Sequence, residues 1–145
     1  MQQYWTLGFH QCHWGWKSIS DLREVVANYS TAGIPLESIW NDIDVYDRTR
    51  VFTNDQAGYP SDGMHEIVNF LHERGQRYVA IQDSNVYFPD PANETDVESY
   101  PPFKRGADMD AFIRDAATGY FFIGENWPGY RCACSILAST ASADT

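Results

Sequence analysis

Three short clusters in this 145-residue chain hold side chains that can do chemistry. Trp14 and Trp16 flank Gly15, Asp42 and Asp44 flank Ile43, and Asp83 follows Gln82. Each cluster stands at the end of a short apolar or aromatic run of the kind that forms a buried strand, or within a few residues of one. An indole offers a flat apolar wall with one donor on its edge. A carboxylate accepts hydrogen bonds from neighbouring hydroxyls. A sugar presents apolar C–H faces and a rim of hydroxyls, so aromatics and acids gathered at strand ends suit a neutral carbohydrate. Taken singly, each residue has a plainer reading, Trp as core and Asp as helix cap or loop tie. Only the joint pattern points to a sugar. On an extended chain Asp42 and Asp44 point to one side, so they can imitate the paired carboxylates of glycoside hydrolysis, which stand about 5–5.5 Å apart for retention and roughly 6.5–9.5 Å for inversion. Spacing alone does not give them that role.

Other chemistries find less support. His10, Cys12 and His13 are soft-metal ligand types, but no second cluster lies at a supporting distance, and no metal is expected. His65 and His72, seven residues apart, are expected to face solvent. The chain has no phosphate-cradling glycine loop and no G-x-S-x-G elbow, and no cofactor is expected. Cys12, Cys132 and Cys134 are too few and odd in number for a disulfide framework. Asn28-Tyr29-Ser30 and Asn93-Glu94-Thr95 are N-x-S/T sequons, a weak sign of a secretory origin that chance also produces. No signal-peptide pattern precedes the first strand-like run.

The elements that must position these residues follow from periodicity. Tyr4 to Phe9 reads as a buried strand, with His10 to Lys17 as the loop after it. Ser18 and Asp21 form a capping-box-like start, Leu22, Val25, Val26 and Tyr29 recur at helical spacing, and Gly33 sits where a helix stops. Ile34 to Trp40 reads as a second strand. Asp62 is the expected cap of a second helix, with Met64, Ile67, Val68 and Leu71 on one face and Gly75 beyond it. Tyr78 to Ile81 reads as a third strand. Strand, helix, strand, helix, strand implies parallel strands covered by helices, and in such architectures the C-terminal strand ends face the site. Ser84 to Gly106, with four prolines, reads as an irregular excursion. Asp110 to Arg114 and Tyr120 to Ile123 suggest a hairpin. From Arg131 the chain turns to Ala, Ser, Thr and Cys and does not read as a strand or helix.

Composition narrows the partners. A net charge of −10, from 20 Asp and Glu against 10 Lys and Arg, argues against a nucleic-acid binder, which needs a basic face. It does not favour an anionic membrane surface either, and no apolar run reaches the roughly 18 residues that span a bilayer. With 43% hydrophobic and 15% aromatic residues, a packed core is expected. Oligomeric state is not legible.

The quoted segments also resemble a known family. Tyr4 to Trp16 looks like the opening barrel strand of glycoside hydrolase family 31. Gly33 to Asp44, with its Trp40-Asn41-Asp42-Ile43-Asp44 core, is similar to that family's second strand. Arg77 to Asp83 matches the third, and Phe122 to Gly129 resembles the segment leading into the fourth. The similarity runs from about Tyr4 to Tyr130, in the right order, and leans towards eukaryotic, fungal α-glucosidases. A complete (β/α)8 barrel needs about 250 residues. The implied fold is therefore α/β, the first three βα units of such a barrel, with an irregular insertion and hairpin after strand three. Residues 1–130 form the partial barrel, and 131–145 are an unrelated or disordered tail.

The resemblance implies a retaining α-glucosidase acting on terminal α-linked glucose of an α-glucoside or malto-oligosaccharide, in a secreted or secretory-lumen setting. Asp42 would grip hydroxyls in the −1 subsite and Ile43 would line it. Trp14, Ile81 and Trp127 would wall it, with Asp44 and Asp83 supporting. His13 stands where many members have Arg, and Gln82-Asp83-Ser84-Asn85 departs from a commoner V-D-P-A-type run. The family's W-x-D-M-N-E-type stretch, which carries the nucleophile, and the later acid/base Asp have no counterpart in this sequence. The match breaks at Arg131-Cys132-Ala133-Cys134-Ser135, which truncation, a misread exon boundary or a frameshift would each produce. This chain alone is thus expected to lack turnover. The alternatives are a non-catalytic carbohydrate-binding fragment and an inert truncated one.

Overall fold

The computed structural model describes residues 1–127 and 130–133, and it divides into two compact units. The first comprises residues 1–49 and 53–81. Its first helix, α1 (Ile19–Thr31), starts as the sequence predicts. The Ser18 hydroxyl accepts from the Asp21 N–H at 3.3 Å, and the Asp21 carboxylate accepts from the Ser18 N–H at 3.0 Å. These reciprocal bonds tie down donors at the start of the helix. Leu22 and Val26 are buried on its inner face, and Gly33, at φ 66°, turns the chain out of the helix.

Three parallel strands follow the order β1 (His10–His13), β2 (Ser38–Asn41), β3 (Arg77–Ala80). Their register aligns His10, Ser38 and Arg77 at one end and His13, Asn41 and Ala80 at the other. Side chains alternate between faces along a strand. Gln11, Ile39, Asn41 and Tyr78 therefore share the face that packs on α1 and on α2 (Ser61–Glu73), where Ile39, Ile67 and Leu71 are fully buried. His10, Cys12, Ser38, Trp40 and Val79 share the opposite face, on which Trp40 stays exposed.

Two boundaries differ from the sequence reading. Tyr4–Leu7 is a 3₁₀ turn with no buried residue, and the strand lies in the polar run His10–His13 that reads as a loop. The ladder starts only where the neighbouring chain comes close. The Phe9 carbonyl accepts from the N–H groups of Glu37 (2.9 Å) and Ser38 (3.3 Å). At Gly8 a Cβ would lie 2.6 Å from the Glu37 Cβ, so this approach needs glycine. The polar strand is tolerated because its side chains find partners: Gln11 accepts from the Tyr29 hydroxyl at 2.5 Å, and His10 Nδ1 meets the Ser38 hydroxyl at 2.5 Å. In α2 the cap position falls to Pro60, which makes no side-chain bond, and Asp62 lies within the first turn. A carboxylate there still complements the helix dipole.

The second unit comprises residues 50–52 and the described residues from 82 onward. The excursion after β3 is ordered. Strand β4 (Val86–Tyr87) is followed by helices α3 (Glu94–Glu98) and α4 (Pro101–Asp108). Pro101 and Pro102 open α4 rather than break it, since the first helical positions need no N–H. Strands β5 (Ile123–Trp127) and β6 (Tyr130–Ala133) complete an antiparallel sheet of order β4-β6-β5. Arg131, Cys132 and Ala133, expected to open a tail without strand character, instead form ladder pairs with β4 and β5. Cys134 and the rest of that tail lie outside the described residues. The predicted hairpin is present as a bridge between Arg114 and Phe121. The core is aromatic: Phe103 stacks on Phe112 with centroids 5.4 Å apart, and Phe121 meets both rings edge-on.

Candidate functional site

The site residues of the first unit follow from register. His13, Asn41 and Ala80 are aligned partners at the C-terminal ends of β1, β2 and β3. One residue further along each strand come Trp14, Asp42 and Ile81. They thus form one row at one edge of the sheet, continuing the parity of Cys12, Trp40 and Val79. Trp14 is 68% exposed, and Asp42, Ile43 and Ile81 are half-buried. The Tyr46 hydroxyl donates to the Ile81 carbonyl and ties the end of β3 to the turn after β2.

The two acids after β2 are not equivalent, and they do not sit on an extended chain. Asp42 caps a 3₁₀ turn over Ile43–Val45, its Oδ1 accepting from the Ile43 N–H at 2.7 Å. Among the described residues its Oδ2 has no hydrogen-bond partner. Asp44 uses both oxygens. Oδ2 accepts from the Gly15 N–H at 2.6 Å, and Oδ1 pairs with Lys17 Nζ, leaving the side chain only 4% exposed. Asp44 therefore holds the Trp14–Lys17 loop, while Asp42 makes only the local bond to the Ile43 N–H. The two acids do not form a matched pair, because the distant loop takes both Asp44 oxygens and the local turn takes one of Asp42.

A second clamp was not legible in the sequence. Tyr59 is fully buried. Its hydroxyl donates to the Trp16 carbonyl at 2.7 Å and accepts from Asn41 Nδ2 at 3.0 Å. Trp16 and Asn41 lie 43 and 18 residues away from it along the chain, so no local spacing announces them.

Burial pushes the Tyr59 hydroxyl up to about 12, with the Asn41 hydrogen bond opposing and nearby Asp44, Asp21 and Asp55 adding to the rise. Burial drives Tyr78 upward as well, helped by Tyr59 and Tyr46. The unfolded chain titrates tyrosine near 10. The native state therefore holds these protons more tightly. Their contribution to stability is complete below about pH 10 and is lost as pH rises towards 12. Urea midpoints should fall across that window, and Tyr59→Phe should flatten the fall; an equal fall in the variant would remove Tyr59 as a cause.

Burial and the Asp42 charge both raise the Cys12 thiol, which disfavours the nucleophilic thiolate. Strand alternation puts His13 on the face opposite His10 and Cys12. Among the described residues no three His, Cys, Asp or Glu side chains converge on a metal-sized position. No helix among the described residues is long and apolar enough to cross a membrane.

In the second unit, Trp127 Nε1 donates to Asp83 Oδ2 at 3.3 Å, and the indole remains 41% exposed. Asp83 thus holds the indole edge of Trp127.

With this geometry in hand, the comparisons are specific. The family model described as the glycosyl hydrolases family 31 TIM-barrel domain matches residues 1–144. Glucoamylase 1 of Candida albicans is 42% identical over 139 residues, 96% of this chain and 14% of that protein. The alpha-glucosidase of Aspergillus niger is 47% identical over 130 residues, 90% of this chain and 13% of that protein. A chain of the crystal structure of the ER glucosidase II heterodimeric complex superposes with a TM-score of 0.75 at 24% identity, covering 90% of this chain and 13% of that one; this likeness speaks to the fold. The chain thus spans about a seventh of the length of these relatives. Parallel strands, a carboxylate and an indole on one strand edge, and a family match over nearly every residue agree: the chain belongs to glycosyl hydrolase family 31, as part of its TIM-barrel domain.

Proposed function

We propose that this chain builds part of the terminal-glucose pocket of a retaining α-glucosidase. The observation that carries the reading is the unspent Asp42 oxygen in the row Trp14, Asp42, Ile81, and it gains weight from relatives named alpha-glucosidase and glucoamylase. Asp42 accepts hydrogen bonds from glucose hydroxyls, and Ile43 lines the pocket beside it. Trp14 and Ile81 give apolar walls for the C–H faces. Asp44 positions the Trp14 loop, and Asp83 orients the Trp127 indole. The substrate is an α-glucoside or malto-oligosaccharide. In this chemistry a carboxylate attacks the anomeric carbon, a glycosyl ester forms, and water then hydrolyses it. The attacking and protonating carboxylates come from outside residues 1–145. The setting is a secreted one or the secretory-pathway lumen, as the family resemblance implies.

Binding without those two carboxylates does not lower the chemical barrier. The purified 145-residue chain at micromolar concentration should therefore release no aryl alcohol from an aryl α-glucoside above the buffer blank. Titration with maltose, followed by Trp fluorescence, should give millimolar binding that Asp42→Ala abolishes. Clear turnover, or an unchanged maltose response in Asp42→Ala, would overturn the assignment.

A further inference from the structure

We infer that the native protein carries an N-linked glycan on Asn93, and that Asn28 is not the modified site. The inference rests on the secretory setting of the proposed function. Both residues begin N-x-S/T sequons, but the fold treats them differently.

Asn93 lies in the turn before α3. Every residue from 90 to 95 is exposed, so a bulky polar substituent on Asn93 has solvent to enter. The turn is fixed from beneath. The Asn93 N–H donates to the Asp90 carbonyl at 2.9 Å, and the Asp96 carboxylate accepts from the Asp90 N–H and the Tyr87 hydroxyl, each at 3.0 Å. Asn93 is also the N-cap of α3, with its Oδ1 accepting from the Asp96 N–H at 3.2 Å. N-glycosylation uses the other amide atom. Nδ2 attacks the anomeric carbon of a polyprenyl-diphosphate-linked oligosaccharide. The C–N bond forms, the C–O bond to the diphosphate breaks with its electron pair leaving on the diphosphate, and the amide loses one proton. Oδ1 survives as an acceptor, so cap and glycan coexist.

Asn28 is exposed too, but it sits in the last turn of α1, its carbonyl accepting from the Ala32 N–H at 2.9 Å. Its side chain borders a groove of about 410 Å³ lined by Gln11, His13, Trp16, Val25 and Tyr29. A glycan there would lie against the flank of β1, beside the loop that carries Trp14.

The test has two arms. In one, the 145-residue chain is expressed behind a secretion leader in a eukaryotic host. In the other, the protein is isolated from its native cells. Both are treated with an amidase that releases N-glycans in H2(18)O, and the peptides are mapped by mass spectrometry. The expected result is ¹⁸O-labelled Asp at position 93 in both arms, with the glycan-dependent mobility shift of the secreted chain lost in Asn93→Gln. An unlabelled Asn93 in the leader-driven chain overturns the site itself and leaves the glucosidase reading intact. Label in the leader-driven chain but not in the native protein overturns the inference through the compartment. Label at Asn28 equal to or above that at Asn93 overturns the choice between them.

Discussion

Replacing Asp44 with alanine is expected to destabilise the first unit by about 2 kcal/mol and to loosen the Trp14–Lys17 loop. The carboxylate is almost wholly buried and spends both oxygens, on the Gly15 N–H and on Lys17 Nζ. Hydrogen bonds to charged groups contribute about 1.5–3 kcal/mol each. Part of that is offset here, since deletion also removes the cost of holding a carboxylate away from water. Lys17 is 72% exposed and regains water when its partner goes, so no charge is left stranded. Urea unfolding followed by Trp emission should show the lower midpoint, and iodide should quench the loop indoles more strongly. Lys17→Met is the informative contrast. Exposed ion pairs contribute about 1 kcal/mol or less, and the backbone bond from Gly15 remains in that variant. If Lys17→Met costs as much as Asp44→Ala, the loop is held by the ion pair and the positioning role of the buried oxygen is wrong.

Gly58→Ala is expected to cost more, about 3 kcal/mol. A Cβ at position 58 would stand 2.1 Å from the Lys17 carbonyl oxygen and 3.2 Å from its carbon. These are backbone atoms, and no rotamer change moves them aside. The Gly58 carbonyl in turn accepts from the Ile19 N–H at 3.0 Å, at the first residue of α1. Relief of the clash must therefore shift either the start of α1 or the segment leading to Tyr59, whose hydroxyl holds the Trp16 carbonyl. Overpacking of this kind costs about 1–3 kcal/mol, occasionally more, and a rigid backbone neighbour puts it at the upper end. Gly75→Ala serves as the comparison. That position has φ 75° and open space around it, so only conformational strain of about 1 kcal/mol applies. Equal losses in the two variants would show that the contact with Lys17 yields easily.

Both variants act on one feature, the two-sided grip on the loop after β1. Asp44 reaches that loop from the turn after β2, and Tyr59 reaches it from the segment entering α2. Neither side chain stands in the row with Trp14, Asp42 and Ile81. Each fixes backbone just beyond Trp14: Asp44 holds the Gly15 N–H and Tyr59 the Trp16 carbonyl. A pocket residue is held to useful precision only when its backbone is over-determined by such contacts.

Much of the fold was legible because it is written in neighbours along the chain. The capping box at Ser18 and Asp21, the apolar stripe of Leu22 and Val26, and the stop at Gly33 are local spacings that any tertiary setting would honour. The alternation of strands and helices gave the parallel arrangement, and parallel strands put Trp14, Asp42 and Ile81 at one edge without further assumption. The first strand was misplaced by a few residues because hydrophobicity pointed to Tyr4–Phe9. The ladder is decided instead by where Glu37 and Ser38 present their N–H groups. The excursion after β3 read as irregular because its prolines look like breakers, and only their position at the start of α4 makes them helix-compatible.

The amino-acid sequence by itself determined the family, the parallel core and the candidate carboxylates, since those rest on residue types and short-range order. What it could not determine is which carboxylate stays available. Asp42 and Asp44 look alike in the chain, and their fates diverge through a contact 29 residues distant, at Gly15. Tertiary structure made that choice: burial commits Asp44 to the loop and leaves one Asp42 oxygen unpaired, because a lone pair already given to a backbone N–H is no longer open to a sugar hydroxyl.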